Sequence, residues 1–155
     1  LKFNTYHKNP LVIQCADKYA VREYVEKCGC GEILNELYGV YDKVKDINFD
    51  KFPNKFVMKL NYGCGMNLIC KEKSNLNISK TKRMLAKWMR SMQHLRLSEM
   101  HYSYIQKKII CEKFLDTHNN SAPDDYKIYL ICEKKNNNVI VVDDRKLLSK
   151  LVLEL

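Results

Sequence analysis

Two short apolar runs, "FVMKL" at 56–60 and "NLICK" at 67–71, predict a pair of strands with residues 60–66 between their cores. Gly63 and Gly65 fall in that connection, and Lys59 stands just before it. Upstream, Asp17 predicts the cap of a helix to about Lys27, with Ala16, Tyr19, Ala20, Tyr24 and Cys28 near one face. Ile33, Leu34 and Leu37 lie in a short helical or loop segment, and 38–44 reads as a short strand followed by a turn. Pro53 and Asn54 make 49–55 a loop. Ser79 is the expected cap of a helix whose Met84, Leu85, Trp88, Met89 and Met92 follow helical spacing. Residues 108–115 read as a strand with a charged break at Glu112 and Lys113, and 118–125 as a polar loop. Residues 126–133 and 139–144 form a predicted hairpin around the Asn-rich turn 134–138. Leu147, Leu148, Leu151 and Leu155 have helical spacing. The expected class is α+β with antiparallel hairpins, not a run of βαβ units.

The glycine connection poses a chemical question. GxxxxGK[ST] is absent, and no third glycine or immediate helix follows Gly65, so neither the P-loop nor the dinucleotide fingerprint applies. A loop joining two strands has no helix dipole with which to hold an anion. Two readings stay open: a plain hairpin turn, or a glycine hairpin folding over phosphates, with Lys59 as a point charge on an oxygen.

Composition sets the frame for that choice. The chain has 155 residues, 46% hydrophobic and 29% charged, which suits one folded domain or one lobe of a larger enzyme. Its net charge of +9 would attract a polyanion, or it is a lysine-rich solvated surface. Lys80, Lys82, Arg83, Lys87 and Arg90 share one helix face, which allows an alternative function: a basic nucleic-acid or polyanion-binding module without catalysis. Trp88 sits on the apolar face, a poor stacking platform, which disfavours nucleic acid. No apolar run reaches the length of a membrane span, and the first ten residues lack the apolar stretch of a signal peptide. The seven cysteines are an odd count with no CxxC pair, and with no secretory signal, reduced thiols in the cytosol are the simpler reading. "CGC" at 28–30 has no second ligand pair at zinc spacing, and Cys70, Cys111 and Cys132 read as small core hydrophobes.

The order of segments then adds information. "DKYAVREYV" at 17–25, "FPNKFVMKLNYGCGMNLICK" at 52–71, "WMR" at 88–90, "KIICEKFL" at 108–115, "DYKIYLI" at 125–131 and "VDDR" at 142–145 follow one another. This series resembles the ATP-grasp superfamily, and closely resembles its TupA-like branch, linked to teichuronopeptide and polysaccharide biosynthesis. The resemblance runs from about Asn9 to Arg145.

The resemblance implies an ATP-grasp-like fold of antiparallel sheets, flanking helices and a glycine-rich hairpin flap. It implies three stretches: a helical segment over 1–50, the flap sub-domain over 51–107, and the hinge with the start of a C-terminal sheet over 108–155. Lys18 would open the nucleotide-binding region and Lys59 would contact ATP phosphates. Gly63, Cys64 and Gly65 would form the flap, where the branch often reads His-Gly-Ser-Gly and this chain has Tyr62-Gly63-Cys64-Gly65. Glu112, Lys113, Phe114 and Leu115 would form the hinge at the adenine edge, and Lys127 would lie beside the nucleotide. Met58, Leu60, Ile69 and Ile110 would wall an adenine slot or simply be sheet core. Asp143 and Arg145 would lie near the acceptor site, Arg145 in a catalytic role. The implied activity is ATP-dependent carboxylate–amine ligation, in a family also labelled glycosyltransferase. Its partners would be a nucleotide and a carboxylate or glycopolymer acceptor, in the cytoplasm at the inner face of the membrane. Mg2+ is implied as well, with ligands expected beyond residue 155, so the chain reads as an ATP-grasp domain lacking its C-terminal part.

Overall fold

The computed structural model describes residues 8–116 and the strand backbones at 128–132 and 139–143. The chain divides into two compact units, Leu1–Phe114 and Leu115–Leu155. The first is α+β, built on a four-stranded antiparallel sheet in the order β1-β4-β2-β3. These strands are β1 (Leu37–Tyr41), β2 (Phe56–Leu60), β3 (Asn67–Cys70) and β4 (Ile109–Lys113). In the second unit β5 (Ile128–Cys132) and β6 (Val139–Asp143) pair antiparallel, Ile128 opposite Asp143, which is the hairpin read from the sequence. The expected loop at 118–125, the turn at 134–138 and the leucine-rich tail lie outside the described residues.

Strand alternation decides which side chains meet, because residues directly opposite in an antiparallel pair share a face. Leu60 faces Ile109 and Met58 faces Cys111, so one side of the sheet carries Phe56, Met58, Leu60, Ile109 and Cys111. That side is the core, completed by Phe49, Phe52, Tyr62 and Leu85. The other side carries Val57, Lys59, Ile110 and Glu112 at the centre, flanked by Ile69 and Asn67 on β3. Ile110 is fully buried yet does not belong to the core cluster, as its opposite orientation requires.

Helices and turns close the core face. Helix α3 (Ile78–Met89) places Leu85 wholly inside, with Trp88 and Met89 partly buried against it. Its cap is Asn77, whose Oδ1 accepts from the Lys80 N–H at 2.9 Å; Ser79, the expected cap, already lies within the helix. Met92 falls beyond the helix and is 59% exposed, so the apolar stripe stops at Met89. The 49–55 segment, expected as a loop, opens with a 3-10 turn (Phe49–Lys51) and is packed: Phe49 and Phe52 are buried, and the Lys73 ammonium donates to the Phe52 carbonyl at 2.7 Å.

The N-terminal region differs most from its reading. A helix, α1 (Pro10–Ala16), precedes Asp17; its signal was Asn9-Pro10, a cap followed by proline at the first helical position. Asp17 ends α1 and caps the next turn, accepting from the Tyr19 and Ala20 N–H groups at 2.8 and 3.2 Å. Helix α2 (Val21–Lys27) then begins later than expected. Tyr19 and Tyr24 remain exposed, so the apolar face proposed for 16–28 is not a buried one. Among the described residues no helix is long and apolar enough to cross a membrane.

Candidate functional site

The site forms where the turn after α1 meets the glycine connection between β2 and β3. Asn61, fully buried, is its hub. Its Nδ2 donates to Asp17 Oδ1 at 2.9 Å and to the Gln106 carbonyl at 3.0 Å. Its Oδ1 accepts from the Lys108 N–H at 2.7 Å, its own N–H donates to the Lys108 carbonyl, and its carbonyl accepts from the Lys18 N–H, both at 3.0 Å. One side chain and its backbone thereby tie three distant segments together. The sequence reading missed Asn61, although an asparagine between an apolar strand and a glycine was the available signal.

This clasp fixes Lys18. Its ammonium donates to the Gly63 carbonyl. Burial pulls the Lys18 pKa below its ordinary value, and the Lys59 charge lowers it further, while the Asp17 and Glu112 carboxylates act the other way. Lys59 projects from the non-core face of β2, and its Nζ lies 2.7 Å from Glu112 Oε2 across the strand pair. Lys18, Lys59, Gly63 and Glu112 are therefore neighbours although they are scattered through the sequence. Two ammonium groups and two carboxylates, Asp17 and Glu112, thus meet beside the loop, and the Lys18 ammonium, held by a neutral carbonyl, is the charge best placed for an anion.

The connection itself turns through two left-handed glycines, Gly63 at φ +68° and Gly65 at φ +74°. A side chain at 63 would also meet Gln93, whose Oε1 would lie 2.5 Å from the new Cβ. Cys64 and Gly65 are exposed at the tip, whereas Gly63 is buried. The Cys64 N–H donates to Gln93 Oε1 at 3.2 Å, and Gln93 Nε2 donates to Cys64 Sγ at 3.4 Å. Gln93 opens helix α4 (Gln93–Leu97). Next to it His94 bonds through Nδ1 to the Tyr62 hydroxyl, and its backbone N–H donates to the same oxygen at 3.1 Å. The Lys107 ammonium caps the turn after α3 at the Ser91 carbonyl and lies 4.8 Å from the centre of the Tyr62 ring. A cleft of about 650 Å³ runs beside the loop, lined by Cys64, Gly65 and Met66 on one side and Ser91, Met92, Gln93 and Leu95 on the other. None of Gln93, His94 or Lys107 was singled out by the sequence reading, because their roles depend on where the 91–107 segment folds back.

The remaining expected site residues separate. Glu112 lies within β4, opposite Val57, and is buried. Both backbone groups of Lys113 are occupied: its N–H donates to the Glu36 carbonyl at 2.9 Å, and its carbonyl accepts from Asn35 Nδ2 at 2.8 Å. Its ammonium lies 3.4 Å from Glu36. The Phe114 ring lies 5.6 Å from the Lys55 ammonium, and Leu115, exposed, begins the second unit. Lys127 and Arg145 lie outside the described residues, and Asp143 is described only as the last residue of β6. Of the four possible slot walls, Met58 and Leu60 face the core and cannot line a site on the opposite side; strand alternation excludes them. Ile69, 54% exposed, and Ile110 do lie on the side of Lys59 and Glu112. Among the described residues no group of three or more histidine, cysteine, aspartate or glutamate side chains is disposed to hold a metal ion. Of the two carboxylates at the site, Glu112 is paired with Lys59 and Asp17 accepts from Asn61 and from the Tyr19 and Ala20 N–H groups, so these residues do not by themselves form a magnesium site.

A family model described as TupA-like ATPgrasp matches residues 1–150. No curated protein matches the chain, and no solved structure does.

Proposed function

From its membership of the TupA-like ATP-grasp family, to which the chain belongs, we propose that this protein binds ATP on the non-core face of the four-stranded sheet. The observation that carries this reading is the convergence of Lys18 and Lys59 beside the left-handed glycine loop. Two cations and the backbone donors of a turn are what a polyphosphate needs, and glycine lets the backbone approach it closely. Val57 and Ile69 on the same face offer an apolar surface for a base, with Ile110 buried beside them. Since the Lys113 backbone is already engaged, Phe114 and Leu115 are the hinge positions left to meet an adenine edge.

The reaction proposed is ATP-dependent carboxylate–amine ligation. An acceptor carboxylate oxygen attacks the γ-phosphorus, the bond to ADP breaks, and an acyl phosphate forms. An amine then displaces phosphate at the acyl carbon and gives up its proton. Such transfer relies chiefly on positioning and charge neutralisation. Lys18 and Lys59 would neutralise phosphate oxygens, and the 62–65 loop would cover them. Lys127 would lie beside the nucleotide and Arg145 near the acceptor, a carboxylate or glycopolymer of cell-surface polysaccharide synthesis on the cytoplasmic side of the membrane. Bound Mg2+ would add neutralisation of the phosphates. The competing reading, a basic nucleic-acid module, draws less support, because Trp88 packs against the core and leaves the basic face of α3 without an aromatic platform.

Calorimetric titration of the full chain with ATP and Mg2+ tests the proposal. Binding that is lost in Lys59→Ala is the expected result. No heat and no thermal shift at millimolar nucleotide would overturn it.

A further inference from the structure

The polar groups that would receive a phosphate are engaged with one another. The Lys18 ammonium holds the Gly63 carbonyl, Lys59 holds Glu112, and the Cys64 N–H is donated to the Gln93 side chain. The first two contacts join groups that the nucleotide reading already uses. The third does not: Gln93 comes from a separate segment and serves no role in that reading. Because a backbone N–H can only donate, it is the amide oxygen of Gln93 that faces Cys64, the same kind of acceptor that a phosphate oxygen would present.

We propose that Gln93 is a latch: its side-chain oxygen occupies the loop amide of Cys64 in the ligand-free protein and must leave before that amide can serve a phosphate. The proposal rests on the nucleotide reading above. Four observations support it. Gln93 holds Cys64 twice, through Oε1 on the N–H and Nε2 on the sulfur, so both contacts have to be given up on release. The glycine at 63 leaves room for Gln93 Oε1, because a Cβ there would lie 2.5 Å from it. The adjoining cleft of about 650 Å³ gives the released side chain somewhere to go without disturbing the core. His94, the next residue, is locked to Tyr62, so the backbone of the latch stays in place while its side chain moves.

A latch that competes with the ligand raises its dissociation constant. Gln93→Ala should therefore bind ATP more tightly, by roughly two- to tenfold, the span of one neutral hydrogen bond. Gln93→Glu keeps the acceptor and adds negative charge, so it should bind ATP more weakly than the wild type. Amide hydrogen exchange by NMR in the nucleotide-free protein supplies a readout independent of ATP: exchange at Cys64 should accelerate in Gln93→Ala and stay slow in Gln93→Glu. Unchanged Cys64 exchange in Gln93→Ala overturns the latch. So does ATP binding that weakens equally in both variants, the pattern of a merely structural residue, while wild-type binding leaves the nucleotide reading intact. If neither wild type nor variant binds ATP, the nucleotide reading fails and the latch falls with it.

Discussion

Lys59 Nζ lies 2.7 Å from Glu112 Oε2, and the two partners differ sharply in exposure: 33% for the lysine side chain and 9% for the carboxylate. The asymmetry predicts unequal costs. Lys59→Met leaves a buried carboxylate short of a partner, which costs about 3 kcal/mol in a buried pair. Glu112→Gln leaves an ammonium that can turn to water, at about 1 kcal/mol. The double variant Lys59→Met/Glu112→Leu should recover most of the larger loss. Urea unfolding of all four proteins checks this, and equal costs for the two single changes would refute the asymmetry.

Asn61 predicts a second effect, on stability rather than on charge. Its side chain makes three hydrogen bonds in a fully buried position, to Asp17, Gln106 and Lys108. Asn61→Ala removes them and strands the Lys108 N–H, which together should destabilise the fold by about 3 kcal/mol. Asn61→Asp should fare little better, since it places a second carboxylate against Asp17. Thermal unfolding measures the loss. Hydrogen exchange should show the turn at 17–20 opening first, because that turn is held to the sheet through this residue.

The contrast between Lys59 and Asn61 explains what the sequence made legible. Lys59 stood out as the one charge in the apolar run "FVMKL", just before the two glycines, and strand β2 formed over the residues expected. Within β2 alternation turns Met58 and Leu60 inward and Lys59 outward, but placing Ile110 opposite Lys59 took the pairing with β4. The missing step was the pairing register, a long-range property that no local pattern reports. Asn61, Gln93 and Lys107 escaped for a related reason. A buried polar residue looks like any loop residue until its partners are known, and theirs lie 29 or more positions away for Gln93 and 44 to 47 for Asn61. Helix α1 was missed differently: Asn9-Pro10 was a readable cap, but Asp17 offered a more familiar start.

Lys18 links stability to pH. Its folded pKa lies below the ordinary 10.5, chiefly through burial and then through Lys59. The native state therefore releases this proton at lower pH than the unfolded chain does. Below the lowered pKa both states carry the charge, and the native state bears its desolvation. As pH rises toward 10.5 that burden lifts, so the group's contribution becomes more favourable to folding. The stability of the wild type relative to Lys18→Met should thus rise between neutral pH and about 10.5. The variant should also bind ATP roughly tenfold more weakly at neutral pH, the worth of one charge-assisted contact. Unfolding curves and calorimetry at a series of pH values check both, and a flat difference would refute the linkage.

The cysteines supply a map of the site. Cys15, Cys28, Cys30 and Cys64 are exposed, whereas Cys70 and Cys111 are buried. Burial, with the Glu112 charge beside it, pushes the Cys111 thiol up to about 12 from its ordinary 9.0. The reactive species is the thiolate, so Cys111 has neither the access nor the ionisation for attack at neutral pH. Iodoacetamide on the native chain should alkylate the four exposed thiols and spare Cys70 and Cys111 until denaturant is added. Among those four, Cys64 alone sits on the loop proposed to cover the phosphates. ATP should therefore slow alkylation at Cys64 and leave Cys15, Cys28 and Cys30 unchanged, with peptide mass spectrometry reading each site separately. In Gln93→Ala, which lacks the Nε2–Sγ contact, Cys64 should react faster without nucleotide and gain more protection with it. Uniform protection of all four thiols would indicate global stabilisation and not closure of this loop over a ligand.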